Sequence, residues 1–215
     1  MGTKAILTQY LKDTYKIELS KDYIIFGIRG AKPDGDGNDL TDSKQSPNVF
    51  DDTIGFINID ECQVFKGTVD AGSKYTLAPM DKNGCFHLYN GLWLAQRAVH
   101  MGNNAFNLFG KSLGGKDIYK RVGNLEGWRD TNKNFVNDEN KTYTDATGVD
   151  IHAGSGTDKI DGWSAGCQVL RGNWNSQDWK TFRDTLYASK QKVYAYCLLD
   201  FKELDKYYKW KLLDL

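Results

Sequence analysis

No charge of one sign dominates this 215-residue chain: 28 Lys and Arg stand against 28 Asp and Glu. The basic residues form no stripe or tail, so electrostatics alone gives no affinity for nucleic acid or an anionic membrane. No apolar run approaches the ~20 residues that span a bilayer. The first ten residues lack the apolar stretch and small-residue cleavage site of a secretory signal. The expected product is therefore made in the cytoplasm without a signal peptide. The four cysteines include no CxxC pair, and the apolar neighbours of Cys62, Cys85 and Cys197 favour burial over a disulfide framework. No internal repeat and no linker divides the chain, which leaves one domain spanning 1–215, with a helical extension over 1–20 and a tail over 200–215.

What is present reads mostly as β structure. Short β-branched and aromatic runs occur at 23–28, 53–59 and 63–69, and Asp60, Glu61 and Cys62 form a hairpin-length link between the last two. Further strands are expected at 85–89, 92–98, 105–109, 117–122, 148–152, 167–170 and 192–199, with Asn90-Gly91 as a turn. Ser176 is placed to cap a helix over 177–188 whose Trp179, Phe182 and Leu186 share one face. A second helix is expected near the N-terminus, with Ile6, Tyr10 and Leu11 on one side. The tail from Phe201 reads as an amphipathic element docked on the body. Pro33 to Asp39 is a loop by composition. The expected architecture is one β-rich domain with two or three peripheral helices.

Chemical content concentrates in Asp150-Ile-His-Ala-Gly-Ser-Gly-Thr-Asp-Lys-Ile-Asp-Gly-Trp-Ser-Ala-Gly-Cys-Gln-Val-Leu170. A histidine ends one apolar run, a cysteine opens another, and a glycine-rich link allows His152 and Cys167 to lie on neighbouring strands. A thiol with pKa near ~8.5 is only a few per cent ionised at neutral pH and needs a base. His152 is the candidate base and Cys167 the candidate nucleophile, with an expected sulfur-to-ring-nitrogen separation of about 4 Å. Gly166 lets backbone N–H groups approach a reacting carbonyl, as an oxyanion hole requires. The imidazole needs an orienting acceptor, for which a carbonyl near Ala153 and the Asp150 carboxylate are both available. The alternative is a core histidine beside an inert buried thiol.

His152-Ala-Gly followed by Ser164-Ala-Gly-Cys-Gln-Val resembles the L,D-transpeptidase catalytic domain, the YkuD-like family. The resemblance covers about a tenth of the chain and implies a β-sandwich. It also implies acyl transfer on peptidoglycan stem peptides through a thioester on Cys167, with Ser164 shaping the motif. Transpeptidase, carboxypeptidase and endopeptidase chemistry share that acyl-enzyme. Two positions depart from the family pattern: Ala165 replaces the histidine before Gly-Cys, and Val169 replaces the basic residue two positions after the cysteine. Arg171 is the nearest basic substitute. The missing export signal fits a phage lysis or virion protein that acts at the wall. The competing reading is a non-catalytic wall-binding or virion structural module.

Around this motif, Trp163, His87 and Arg171 are candidate substrate-binding residues. Alternation places Cys85 and His87 on one strand face, toward the same cleft; core packing is the alternative for both. A zinc site from Cys85, His87 and His100 lacks a fourth ligand and standard spacing. Asp130, Asn132, Asn134 and Asp138 stand at the oxygen positions of a calcium loop, but Phe135 takes the glycine's place and Lys141 the bidentate glutamate's. Calcium is the one cofactor with a candidate site. Arg29 and Arg97 are expected to pair with acids.

Overall fold

The computed structural model describes residues 2–35 and 39–213, with side chains through Lys211. Asp36–Asn38 of the expected loop and the last two residues of the tail lie outside that range. The described strands are β1 (Ile24–Arg29), β2 (Ala31–Pro33), β3 (Leu40–Asp42), β4 (Asp52–Ile57), β5 (Cys62–Thr68), β6 (Cys85–Leu88) and β7 (Gly91–His100). They continue with β8 (Asn103–Ser112), β9 (Arg121–Gly123), β10 (Gly127–Asp130), β11 (Asp150–Ala153), β12 (Gln168–Leu170) and β13 (Val193–Asp200). The helices are α1 (Thr3–Tyr15), α2 (Ser73–Leu77), α3 (Gln177–Ala188) and α4 (Phe201–Leu213).

Nine strands form one sheet in the order β11-β12-β5-β4-β1-β13-β7-β8-β9, and β11 also pairs with β8. That last pairing, Asp150 with Asn107 and Ile151 with Phe106, closes the sheet on itself like a barrel. The mainly β expectation holds, but the sheet is closed rather than visibly split into two stacked layers. Closure leaves β11 with a hydrogen-bonded neighbour on both sides. The described helices number four, one more than the upper expectation.

Strand β1 shows why an apolar run rather than an alternating one is needed here. Ile25 packs in a cluster with Phe56, Trp93, Phe106 and the α3 residues Trp179, Phe182 and Leu186. Ile24, Phe26 and Ile28 face the opposite way, toward Leu7 and Leu11 of α1 and Leu204 of α4. Both faces are covered, so both parities must be apolar. Helix α3 has the expected bounds, with Ser176 Oγ accepting the Trp179 N–H at 3.4 Å. Helix α4 docks on α1: Tyr207 donates to Asp13 at 2.6 Å, and Lys211 pairs with the same carboxylate at 2.7 Å. In α1 the fully buried side is Leu7 and Leu11, with Ile6 and Tyr10 only partly covered.

Three strands were not legible in the sequence. Strands β2 and β3 form a small hairpin flanking the expected Pro33–Asp39 loop, and β10 pairs antiparallel with β6. The strand expected at 117–122 shrinks to β9, because residues 115–117 form a 3-10 turn. Ser112 Oγ organises that bend by donating to Ile118 O and accepting the Gly114 N–H.

Candidate active site

The candidate nucleophile and base are placed by a parallel strand pair. In the β11–β12 register, Ile151 stands opposite Gln168 and His152 opposite Val169. Continuing that register back by one residue sets Cys167 opposite Asp150. Side chains alternate along strands, so Asp150, His152, Cys167 and Val169 share one face. Parallel strands cannot be joined by a tight turn. The glycine-rich link is accordingly a crossover loop, pinned along residues 48–50. Asp161 N–H donates to Asn48 Oδ1 at 2.7 Å, and Phe50 N–H donates to Asp158 O at 3.2 Å.

The motif around the cysteine is held internally. Gly166 has φ +120°, and a Cβ built there would lie 2.6 Å from Phe86 O, so both backbone and space demand glycine. Buried Ser164 Oγ accepts the Gly166 N–H at 3.1 Å and donates to Cys167 O at 2.8 Å. This commits the Gly166 N–H to Ser164, so it is not free to serve as an oxyanion donor. Gln168, a polar residue inside an apolar strand, donates to Gly166 O at 3.2 Å and accepts the Tyr196 hydroxyl at 2.6 Å. Its role was missed in the sequence, although a buried amide between Cys167 and Val169 was the available signal.

His152 Nδ1 lies 2.8 Å from Ala153 O. A carbonyl only accepts, so Nδ1 carries the proton and Nε2 is left as the basic nitrogen. This decides between the two orienting acceptors. Asp150 serves a different partner, with His100 Nδ1 at 2.7 Å from Oδ2 and the Asn107 amide donating to Oδ1 at 2.7 Å. The His100 ring stacks on His152 with centroids 4.1 Å apart and planes 7° apart, and Trp174 lies beside both. His100 therefore belongs to the site, a placement the sequence, which offered it only as a zinc ligand without standard spacing, did not signal. Burial, with a smaller contribution from His100, pushes the His152 imidazole down to about 4.

The Cys167 thiol donates to Gly148 O at 3.6 Å, and its sulfur accepts the Asp150 N–H at 3.5 Å. Both of these hydrogen bonds go to the main chain, and none of those found among the described residues joins the sulfur to His152. Burial pushes the thiol up to about 12, and the nearby Asp150 charge adds to this against the opposing Asp150 N–H. The resting site is a neutral thiol beside a neutral imidazole.

Cys167 lies between two clefts. One, of about 510 Å³, is lined by His152, His100, Trp163, Trp174, Met80 and Met101. The other, of about 310 Å³, is more polar and is lined by Arg129, Asp81, Asp145, Cys85 and Gly166. Met80 and Met101 are 79% and 83% exposed, and Trp163 is 40% exposed, so large apolar groups rim the mouth of the wider cleft. Clustering of this kind marks binding surfaces more than scattered exposure does.

Two expected substrate-binding residues lie elsewhere. His87 lines neither cleft: it stacks on Trp128 on the wall of a separate cavity, where it meets Asp70. Arg171 lies 3.0 Å from Asp158 and donates to Gly156 O, because four residues past the cysteine β12 has already ended. Cys85 does line the narrower cleft, while Arg97 binds carbonyls at the end of α3 instead of an acid. Arg29 pairs with Asp70 as expected.

The candidate calcium loop spends its oxygens on itself. Buried Asp130 accepts the N–H groups of Asn134 and Phe135, and the Asn132 and Asn134 amides donate to Asp138. Among the described residues no group of three or more His, Cys, Asp or Glu is arranged to hold a metal ion. All four cysteines are free thiols.

Compared with known proteins, the chain matches no family model, no curated protein and no solved structure. Its function is argued from its own residues.

Proposed function

We propose that the chain is a cysteine-dependent acyl-transfer enzyme acting on peptide bonds, with peptidoglycan stem peptides as substrate. One observation carries the chemistry: Cys167 and His152 face the same cleft from adjacent parallel strands, and Ala153 O fixes His152 with Nε2 as the base. The substrate class rests on the motif His152-Ala-Gly with Ser164-Ala-Gly-Cys167, which resembles L,D-transpeptidases of the YkuD-like type.

In this mechanism the S–H turns from Gly148 O toward His152 Nε2 when substrate displaces water from the cleft. The sulfur attacks the carbonyl carbon as Nε2 takes the proton. The tetrahedral oxyanion collapses, the C–N bond breaks, and His152 returns the proton to the leaving amine. An amine or water then attacks the thioester, giving transpeptidation or hydrolysis. Asp150 and His100 act by positioning, through the Asp150 N–H on sulfur and the ring stacked on His152. Such an activity belongs at the cell wall and suits a phage lysis or virion protein.

A second reading, a wall-binding or virion structural module without turnover, is favoured by the thiol's bonds to the main chain and by Ala165 and Val169. Incubation with purified peptidoglycan and mass spectrometry of the muropeptides separates the two. Exchange of an added D-amino acid, or loss of a terminal residue, that disappears in Cys167→Ala supports the enzyme. Unchanged muropeptides with retained sacculus binding support the module, and cleavage of ordinary L-peptides alone points to an unrelated cysteine protease.

A further inference from the structure

In acyl transfer the base does its proton work at the nitrogen of the bond that breaks or forms. It protonates the leaving amine, and it deprotonates the amine that attacks the thioester. His152 lines the wider of the two clefts beside Cys167 and not the narrower one. The amine component is therefore received in the wider cleft, an assignment that rests on the acyl-transfer reading of Cys167 and His152.

Among the described residues no Asp, Glu, Lys or Arg lines this cleft of about 510 Å³, whereas Arg129, Asp81 and Asp145 all line the narrower one. Lys74 does not line it; its ammonium lies 5.3 Å from the Tyr75 ring centroid. The back wall is aromatic and braced. Stacked His152 and His100 have centroids 4.1 Å apart, Trp174 lies 6.0 Å from His152, and Trp174 meets buried Trp179 edge-on at 5.4 Å. His100 is already paired with Asp150 at 2.7 Å. The mouth is apolar and adaptable. Met101 and Gly102, with φ +49° and +79°, are the two turn residues between β7 and β8, which sets Met101 at the rim with Met80 and Trp163. Unbranched thioethers reshape around a guest. A charged group entering here loses its water with no counter-charge in return, whereas an apolar group gains by burial.

We propose that the wider cleft is the subsite for the amine component and selects one whose side chain is large, uncharged and apolar, aromatic side chains foremost. Its volume falls within the roughly 300–1,000 Å³ of small-molecule sites. In the transfer the amine nitrogen forms the C–N bond as the C–S bond breaks. The amine proton passes to His152 Nε2 and on to the departing sulfur, which restores the thiol.

The test is NMR of ¹⁵N-histidine-labelled Cys167→Ala protein, titrated with N-acetyl-D-phenylalaninamide, N-acetyl-D-isoglutamine and N-acetyl-D-lysinamide. These capped amides differ only in the side chain. The chain has three histidines: His152 and His100 report on the cleft, and His87, in its separate cavity, is the internal control. The expected result is a saturable shift of the first two with the phenylalanine amide, an unmoved His87, and binding about tenfold or more tighter than for either charged amide. Met101→Asp places a carboxylate at the rim, in a left-handed position that aspartate tolerates, and Trp163→Ala removes a 40% exposed wall. Each should weaken the phenylalanine amide about fivefold or more, and if Trp163→Ala fails to fold, Met101→Asp decides. No saturable shift, equal binding of a charged amide, or undiminished binding by the folded variants overturns the proposal. With wild-type protein and purified peptidoglycan, D-phenylalanine should be exchanged into muropeptides about tenfold over D-glutamate. Equal exchange overturns the subsite, whereas selective binding with unchanged muropeptides overturns the acyl-transfer reading instead.

Discussion

The charge state of the resting thiol is the sharpest prediction, because it separates burial from catalytic pairing. Chiefly through burial, the Cys167 thiol is pushed up to about 12 and the His152 imidazole down to about 4. At neutral pH a thiol with that pKa is ionised to about one part in 10⁵, against a few per cent for an ordinary free thiol. Alkylation of Cys167 by iodoacetamide, without substrate, should therefore run about three orders of magnitude slower than alkylation of glutathione. Shielding of the sulfur also slows labelling, so the pH slope is the diagnostic quantity. The rate should climb about tenfold per pH unit from 6 to 9 with no plateau, since the thiolate is the reacting species. His152→Gln should leave that slope unchanged. The assay is quenched labelling with mass spectrometry of the peptide containing Cys167. A plateau at or below pH 7 that disappears in His152→Gln would refute the reasoning, because it requires a preformed thiolate–imidazolium pair. Under the proposed mechanism, kcat/KM on a muropeptide should keep its acid limb at about pH 4, where the free enzyme's His152 takes up a proton.

The same imidazole links stability to pH. Its pKa falls from 6.5 to about 4 on folding, so its neutral form stabilises the fold fully above 6.5. The stability lost as pH drops toward 4 is about 3 kcal/mol; urea melts should show this loss in the wild type and a smaller one in His152→Gln. Gly166→Ala forces a side chain at φ +120° against Phe86 O and should cost about 2–4 kcal/mol. At about 2–4 °C per kcal/mol, the calorimetric midpoint should fall by roughly 5–15 °C, and an unchanged midpoint would count against the geometry. Ser164→Ala strips partners from a buried N–H and a buried carbonyl, for about 1–3 kcal/mol by denaturant titration. Under the proposed mechanism, His100→Ala should lower kcat more than KM on a muropeptide, since His100 stacks on the His152 ring.

Local interactions were written in the sequence. Ser176 ahead of Trp179, Phe182 and Leu186 fixed helix α3, because a cap and a helical period act within a few residues. The β-branched and aromatic runs likewise marked β1, β4, β5 and β13, of which β1, β4 and β13 are buried on both faces. His152, Ser164, Gly166 and Cys167 stood out because their chemistry and spacing are local. Choices between distant partners were not encoded in any such pattern. The β11–β8 pairing closes the sheet, and only that closure explains how His100, fifty residues upstream by hydrogen-bond separation, reaches Asp150 and stacks on His152. Packing also decided that Ala153 O holds the His152 ring, and that His87, on β6 beside β10, lines its own cavity with Asp70 and Arg29. The sequence thus determined which groups can react. The tertiary structure determined their tautomer, charge and neighbours, because burial and long-range pairing exist only once the sheet has closed.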